Sequence, residues 1–536
     1  FVLFKPALQN GGSNDLGHAA LDALTANQTT GISRQPVAAA LVPSRAFASA
    51  SAGFSGTTDG WQILHRHGGK LDEQYADAGP GNVALTGEIT LAGDGVREAE
   101  LALGFGSDPA AAADAARNSL RASFDTVSAR YADGWKGYTR AHLPQGLPGG
   151  GLTGLSLRLL RMHMDKGRLG AMAAGLVIPA IPSGVRAPEA NVGGYHLVWP
   201  RDLYHSAMAL MAGGDSEAAV ETLGYFARTQ KDDGSWWQNT WVDGTPYWKG
   251  LQMDEVAFPI LLAAQIQKRV RPLKANELSM VRRAADFIRG HGPTTGQDRW
   301  EEIGGYIPST IAAEIAGLRA ATKLLGDGGY DQTAESWSSQ LEHWTFRHEG
   351  PMGRDYFLRV SPSGHPEQDE SIWLANGSGQ ATAPQILDGG FLELVRLGVR
   401  GAQSPSIQST LAVYEQPVLG VASPLLPQFG GAQAYHRYNR DGYGHENHGG
   451  FWPLLAGERG HYALAAGDLA RARAQLELMK ASQVGAGHLP EQLISPPQGQ
   501  GQAQVGPGAP CPLAWSHGEY LLLSRSLNDG SVFDAP

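Results

Sequence analysis

The first hundred residues contain short runs in which apolar and polar positions alternate. The clearest run is Val83–Leu91, which glycines flank on both sides. Alternation with a period of two is typical of a half-buried β-strand, and helical periodicity is weak in this part of the chain. The pattern therefore predicts a β-sandwich domain over residues 1–107.

After residue 107 the pattern becomes helical and rich in alanine. Apolar residues recur at steps of three or four at Leu120, Phe124, Val127, Tyr131 and Trp135. This spacing places side chains on one face of a helix. We predict a linker helix within residues 108–145.

Helical periodicity dominates beyond residue 145, and no strand-like series persists there. Twelve helical segments are predicted, near 152–175, 201–212, 215–230, 254–270, 276–290, 308–325, 331–347, 389–399, 405–414, 451–466, 468–483 and 513–526. Three joins between them have glycine followed by aspartate, at Gly214-Asp215, Gly326-Asp327 and Gly467-Asp468. Glycine ends a helix in the left-handed conformation and aspartate caps the next helix, which gives a short antiparallel turn.

Twelve helices form six pairs. We therefore predict a mainly α protein, in which an (α/α)6 toroid over residues 146–536 follows the β domain and the linker. Long segments rich in Trp, Tyr, Gly and His separate other helices, and long ordered loops usually have functional roles. The toroid would bring these loops together at one end, around a central pocket.

Charge and hydropathy exclude two kinds of partner. The net charge is −10, and no tract of five basic residues occurs, so the electrostatic field would repel nucleic acid. No apolar stretch reaches the roughly 18 residues that a membrane span needs. A neutral or cationic partner fits this composition.

The single cysteine, Cys511, excludes an intrachain disulfide and a multi-thiolate zinc site. It leaves the redox compartment open. The chain starts at Phe1 rather than Met, without a recognisable signal peptide, and we expect that a leader was removed. A secreted or periplasmic location is the expectation, with the cytoplasm as the alternative.

A pair of adjacent carboxylates, Glu301 and Glu302, is the strongest local signal for catalysis. They follow Trp300 and precede a helix that starts with Pro308. An indole beside a carboxyl group would raise the pKa of that acid, as a general acid working near neutral pH requires. The alternative is a solvated glutamate pair near a helix N-terminus.

Glu491 lies almost two hundred residues later, in an extended loop that Pro490 stiffens. Alone it would be an ordinary loop glutamate. Two loop carboxylates from opposite halves of a toroid could also face each other across the pocket. Inverting glycoside hydrolysis uses that arrangement, with space for a water molecule between the substrate and the base.

Aromatic and charged residues of two other loops suggest sugar binding. Arg201 and Asp202 follow Trp199 at the start of a predicted helix, where they could bind a sugar hydroxyl or form a structural ion pair. Four tryptophans occur close together, at Trp236, Trp237, Trp241 and Trp248. They are interpreted as stacking platforms for sugar rings, with core packing as the alternative.

The loop around His445 and His448 could be mistaken for a metal site. The two histidines are three positions apart, whereas the helical zinc-protease motif needs four. A polar binding loop that contributes Arg437 is the better interpretation, so no metal ligands are assigned. No nucleotide-binding loop or nucleophile elbow occurs, and no cofactor is predicted. A structural calcium ion is left open.

Taken together, these segments resemble glycoside hydrolase family 15, the glucoamylase and glucodextranase family. The resemblance extends over nearly the whole chain, at Tyr195–Asp202, Trp248, Gln252, Asp254, Arg299–Glu302, Ser309–Glu314, Arg437–Gly444, Leu489–Gln492 and Pro512–Ser516. The family has an (α/α)6 catalytic barrel and releases β-glucose from the non-reducing ends of α-glucans with inversion. The resemblance thus implies an α-glucan substrate.

The resemblance also implies a role for individual residues. Glu301 would be the general acid and Glu491 the general base. Arg201, Asp202 and Arg437 would hold the hydroxyls of the terminal glucose in the −1 subsite. The remaining assignments are Tyr195, Trp199 and Trp300 lining that subsite, Trp248 and Glu302 reaching toward the +1 sugar or the acid, and Ser516 bonding to the base.

The function implied is exo-acting hydrolysis of α-1,4 or α-1,6 linkages. Two alternatives stay open: hydrolysis of trehalose or glucosyl transfer on the same scaffold, and a catalytically silent α-glucan-binding regulatory protein. Because Phe1–Leu8 resembles the middle of the family's N-terminal sandwich, we expect a truncated β domain with exposed strand edges.

Overall fold

The computed structural model describes residues 1–6, 8, 13–29, 35–91, 98–177, 194–376, 379–417, 420, 433–443, 449–494, 504–506 and 509–536. Residues Phe1–Gly137 form one compact unit, and the described residues from Tyr138 onward form a second, larger one.

Eight strands and one short helix form most of the first unit. The strands are β1 (Val2–Phe4), β2 (Leu16–Ala19), β3 (Leu24–Gln28), β4 (Val37–Pro43), β5 (Ala50–Phe54), β6 (Asp77–Ala78), β7 (Val83–Gly87) and β8 (Leu101–Gly106), and the helix is α1 (Gly60–Arg66). They form an antiparallel sheet in the order β6-β2-β3-β4-β8 and a smaller one in the order β1-β7-β5. This confirms the predicted N-terminal β domain.

The two sheets share one apolar core. Leu24 and Leu41 of the larger sheet pack in the same cluster as Val83 and Leu85 of the smaller one. β8 is the last strand of the larger sheet, and the exposed side chains that alternate along it include Phe105, which is 62% exposed. Large apolar side chains are therefore exposed on one face of this outer strand.

The predicted linker helix is two helices rather than one. α2 (Pro109–Ser119) packs against the sheet through Ala112 and Ala116, and α3 (Phe124–His142) follows after a four-residue break. The backbone N–H of Thr126 donates to the hydroxyl of Ser123 at 3.3 Å, so a local cap starts the second helix. The apolar spacing of the sequence continues through this break and therefore does not indicate it.

Twelve helices form most of the second unit, in six consecutive pairs. The outer helices are α4 (Gly151–His163), α6 (Ser216–Thr229), α8 (Ala275–His291), α10 (Gly328–Thr345), α12 (Pro405–Tyr414) and α14 (Leu469–Ala481). The inner helices are α5 (Pro200–Ala212), α7 (Met253–Arg269), α9 (Pro308–Leu325), α11 (Leu392–Arg396), α13 (Pro453–Ala465) and α15 (Ala514–Asp529).

The inner helices close into a ring. Each contacts the next in the order α5, α7, α9, α11, α13, α15, and α15 contacts α5 again. Every residue of α5 is buried, as expected for a helix surrounded by others. This is the predicted (α/α)6 barrel.

The predicted joins are confirmed. Gly326 ends α9 at φ 70°, and Asp327 caps α10. Asp468 caps α14 directly after Gly467, whose φ is 81°. Because successive helices are antiparallel, the six inner helices run parallel, and their N-termini lie at the same end of the barrel.

Three predictions within the barrel need correction. The first helix ends at His163 rather than near 175, since Met164 pairs with Met172 in a β-bridge. α11 has only five residues and lies between turns. Short strands also occur where none was predicted: β9 (Thr294–Thr295), β10 (Gly305–Tyr306), β11 (Phe346–Arg347), β12 (Tyr356–Phe357), β13 (Ser371–Leu374), β14 (Gly379–Thr382), β15 (Leu493–Ile494) and β16 (Gln504–Val505).

Candidate active site

The loop before α9 holds Glu301 in an unusual backbone conformation. Its φ is 67°, in the left-handed region that residues other than glycine rarely adopt. Asp298 stabilises the turn: its carbonyl accepts from the Glu301 N–H at 2.8 Å, and its Oδ1 accepts from the Glu302 N–H at 3.0 Å. The two adjacent glutamates consequently have different partners.

Glu301 is partly open and is contacted by polar groups. Its side chain is 25% exposed, and its Oε1 lies 3.4 Å from Nη2 of Arg201. Oε2 accepts from the amide of Gln238 at 2.8 Å. Burial raises the pKa of Glu301, and Arg201 opposes that rise. A carboxyl group with a raised pKa that a ligand can still reach has the properties of a proton donor.

The side chain of Glu302 is buried and is contacted by several protein groups. Nη2 of Arg359 lies 3.0 Å from Oε2, and the hydroxyl of Tyr438 donates to Oε1 at 2.9 Å. Asn376 and Arg437 also donate to Oε1. The Glu302 side chain is only 1% exposed, and these protein groups surround its carboxylate. A buried carboxylate needs such partners because its charge is otherwise costly.

Glu491 lies in a buried position beside two tyrosines. The Tyr195 hydroxyl donates to its Oε1, and the Tyr443 hydroxyl lies 2.6 Å from that of Tyr195. Burial raises the pKa of Glu491 to about 7, although the hydrogen bond from Tyr195 lowers it. Asp202 contributes to the raised pKa of both Glu491 and Glu301, so both carboxylates lie near its charge.

The hydroxyl of Ser516 bonds to the loop of Glu491, not to its carboxylate. It donates to the carbonyl of Pro490 at 2.8 Å. The Glu491 N–H in turn donates to the carbonyl of Pro510 at 3.0 Å. Ser516 therefore orients the segment that presents Glu491.

Arg201 lies among several carboxylates at the N-terminus of α5. Its guanidinium is within 3.5 Å of Asp202 and 3.7 Å of Glu255, and it donates to Gln252. Burial raises the pKa of Asp202, and Arg201 opposes this. The predicted Arg201–Asp202 pair is thus buried and lies at the pocket end of the barrel.

Arg437 lies in the segment before α13. It forms a two-pronged ion pair with Asp441, at 2.6 and 2.9 Å. Its guanidinium also lies 4.6 Å from the ring centre of Tyr443 and 5.5 Å from that of Trp300. These contacts place Arg437 between the loops of the two candidate catalytic glutamates.

The aromatic residues form two groups. Trp199 lies 6.1 Å from Tyr195 and 6.0 Å from Trp248, measured between ring centres. In the second group, the ring centre of Trp300 lies 5.5 Å from that of Trp452 and 6.4 Å from that of Trp515. Tyr195, Trp199 and Trp248 therefore lie together, and Trp300 belongs to the other group.

Trp236 contradicts the interpretation of the tryptophan cluster as stacking platforms. It is buried in the main core, and its Nε1–H donates to the Phe226 carbonyl at 3.1 Å. Trp237 instead lies beneath two lysines, with Nζ of Lys231 4.5 Å from its ring centre. Only the core alternative fits Trp236.

Sequence reasoning missed several residues that organise this site. The sequence identifies Tyr443 only within the Arg437–Gly444 segment, and it does not distinguish Gln238, Asp298 or Arg359 from other polar residues. Arg359 lies 57 positions from Glu302 and is fully buried. Among these residues, only Asp298 could have been found from local sequence. It lies three positions before Glu301, where an aspartate can cap a turn.

Two further features bear on ligands and membranes. In the part of the chain that the structure describes, no cluster of three or more His, Cys, Asp or Glu residues could hold a metal ion. His445 and His448 lie outside the described residues. No helix among those described is long and apolar enough to cross a membrane.

A closed ring of six inner helices with buried carboxylates, arginines and tryptophans at its N-terminal end defines a toroidal glycoside hydrolase. The family model "Glycosyl hydrolases family 15" matches residues 156–458, and "Glucodextranase, domain N" matches residues 1–140. The chain belongs to glycoside hydrolase family 15.

Individual relatives agree with this family. A glucoamylase of Clostridium sp. (strain G0005) is 34% identical over 558 aligned residues, which cover all of this chain and 75% of the relative. A crystal structure of a bacterial glucoamylase complexed with acarbose superposes with a TM-score of 0.88 at 32% identity, over all of this chain and 77% of that one. A wild-type glycosidase structure, with a TM-score of 0.52 and 18% identity over 71% of this chain and 96% of that one, shares the fold. The protein is thus a glycoside hydrolase of the glucoamylase type.

Proposed function

We propose that this enzyme removes glucose from the non-reducing ends of α-glucans by inverting hydrolysis. The main supporting observation is the pair of candidate catalytic carboxylates, Glu301 and Glu491, which have raised pKa values and share Asp202 as a charged neighbour. The acarbose complex of the similar bacterial glucoamylase supports an α-gluco-oligosaccharide ligand.

In this proposal Glu301 protonates the glycosidic oxygen as that bond breaks. Glu491 accepts a proton from a water molecule that attacks the anomeric carbon from the opposite face, which inverts the configuration. Arg201, Asp202 and Arg437 bind hydroxyls of the terminal glucose. Protein groups already hold these three side chains in place, so the side chains need to move little when the sugar binds.

The proposed roles of the aromatic residues follow from their positions. Trp300 and Trp515 stack on each other, and the guanidinium of Arg201 lies 5.4 Å from the centre of the Trp515 ring. In this proposal these two rings close the inner end of the pocket, so that only a chain end fits. Tyr195, Trp199 and Trp248 would line its side.

The test combines a substrate panel with product stereochemistry. Free glucose would be measured from maltose, isomaltose, trehalose, starch and dextran, which separates α-1,4, α-1,6 and α,α-1,1 linkages. Proton NMR during the first minutes should show β-glucose before mutarotation. Initial α-glucose would refute inversion, and release from trehalose alone would favour the trehalase alternative.

A further inference from the structure

The hairpin of β13 and β14 exposes a large aromatic side chain. The two strands pair in an antiparallel register, with Trp373 opposite Gln380. Ile372 and Leu374 are buried on one face, whereas Trp373 on the other face is 67% exposed. The alternation of the strand therefore directs Trp373 into solvent.

The same hairpin is joined to the candidate active site. The side-chain amide of Asn376, which follows β13, donates to Oε1 of Glu302 at 2.9 Å. Glu302 directly follows the candidate acid Glu301. Asn376 is three positions after Trp373, so their Cα atoms are at most about 10 Å apart. Trp373 thus lies close to the contact between Asn376 and Glu302.

The exposed indole of Trp373 packs against the neighbouring strand of the hairpin and has a polar side chain beside it. A Cβ atom at Gly379 would lie 3.5 Å from the six-membered part of the indole, so the ring rests against this glycine. The Gln380 amide donates to the hydroxyl of Ser371 at 3.0 Å, which holds that side chain beside the ring. A flat apolar face next to an amide suits a sugar ring, which has C–H groups on its face and hydroxyls at its edge.

We propose that Trp373 is a stacking platform for an outer glucose ring of an α-glucan chain, beyond the sugars that flank the cleaved bond. The proposal rests on the proposed function, because it assumes an α-glucan in the pocket. The hairpin would then contribute to a preference for longer substrates. Long chains would gain a contact that a disaccharide is too short to make.

The test compares Trp373→Ala with Trp61→Ala, a matched control on α1 that is 65% exposed in the other unit. kcat/KM would be measured for maltose, maltotriose, maltopentaose and maltoheptaose. Trp373→Ala should lower the ratio of the maltoheptaose value to the maltose value by about 3- to 10-fold, mainly through KM. Trp373→Tyr should restore most of that ratio, and Trp61→Ala should leave it unchanged.

A second measurement is independent of turnover. In a Glu301→Gln background, calorimetric binding of maltoheptaose should weaken with Trp373→Ala by a similar factor. If Trp373→Ala lowers kcat/KM and affinity equally for all chain lengths, or for none, the proposed role of Trp373 is wrong. Either result leaves the proposed release of glucose unaffected. If the wild-type enzyme releases no glucose from any α-glucan, the proposed function fails, and this inference fails with it.

Discussion

The hydroxyl of Tyr195 donates a hydrogen bond to Oε1 of Glu491, a residue 296 positions later in the chain. Tyr195 precedes α5 and Glu491 lies in the loop before α15, two inner helices that are neighbours in the ring. Closure of the barrel therefore creates this contact. Burial raises the pKa of Glu491 to about 7, and the tyrosine limits the rise by stabilising the carboxylate.

Removing the Tyr195 hydroxyl should shift the acidic limb of the pH profile. The Tyr195→Phe substitution deletes a hydrogen bond to the charged form of Glu491, so the pKa of this carboxyl group should rise. A general base must be ionised, and the acidic midpoint of kcat/KM should therefore move to higher pH, by about one unit.

Tyr443→Phe is the matched control for that change. The Tyr443 hydroxyl contacts the hydroxyl of Tyr195 at 2.6 Å. Its removal deletes a contact with Tyr195 rather than a hydrogen bond to Glu491, so the acidic midpoint should move less. A shift to lower pH in Tyr195→Phe would contradict the assigned role of the hydrogen bond.

Replacing Glu491 should abolish most turnover but preserve binding. Glu491→Gln keeps the shape of the side chain and cannot accept the proton of water. kcat should fall by about 10²- to 10⁴-fold, with acarbose binding still measurable by calorimetry. Glu477→Gln, on the exposed face of α14, is the control and should behave as wild type. Near wild-type turnover in Glu491→Gln would rule out the base assignment.

Replacing Glu301 should have an effect that depends on the leaving group. Glu301→Gln removes the proton donor, so hydrolysis of maltose should slow by about 10²- to 10⁴-fold. Glucosyl fluoride needs little proton donation, since fluoride is a good leaving group, and its hydrolysis should be reduced far less. Steady-state rates on both substrates measure the difference. Equal losses would argue against an acid role.

Arg359 should contribute more to stability than an exposed arginine. Arg359→Met leaves Asp298 and Glu302 buried without this cation, which should lower the free energy of unfolding by about 3–5 kcal/mol. Arg319→Met removes a pair with the exposed Glu335 and should cost less than about 1 kcal/mol. Urea denaturation followed by circular dichroism compares the two variants, and equal midpoints would contradict a structural role for the buried cluster.

Much of the fold could be predicted from local patterns. Helical periodicity and the Gly-Asp joins locate all twelve barrel helices, because each signal involves residues within a few positions of one another. The interruption between α2 and α3 escaped detection because apolar spacing continues through it. The short strands also escaped, since each ladder pairs only two to four residues.

The sequence by itself determined the helical pairs, the candidate glutamates and the chemical types of their neighbours. The tertiary structure decided the partners of each charge: Tyr195 and Gln492 for Glu491, Arg201 and Gln238 for Glu301, and Arg359 for Glu302. Glu301 and Glu302 are adjacent in sequence, yet one is partly open in the pocket and the other is buried. The physical reason is that burial and long-range contacts set the charge state and accessibility of a carboxylate, and both arise only when the ring of helices closes.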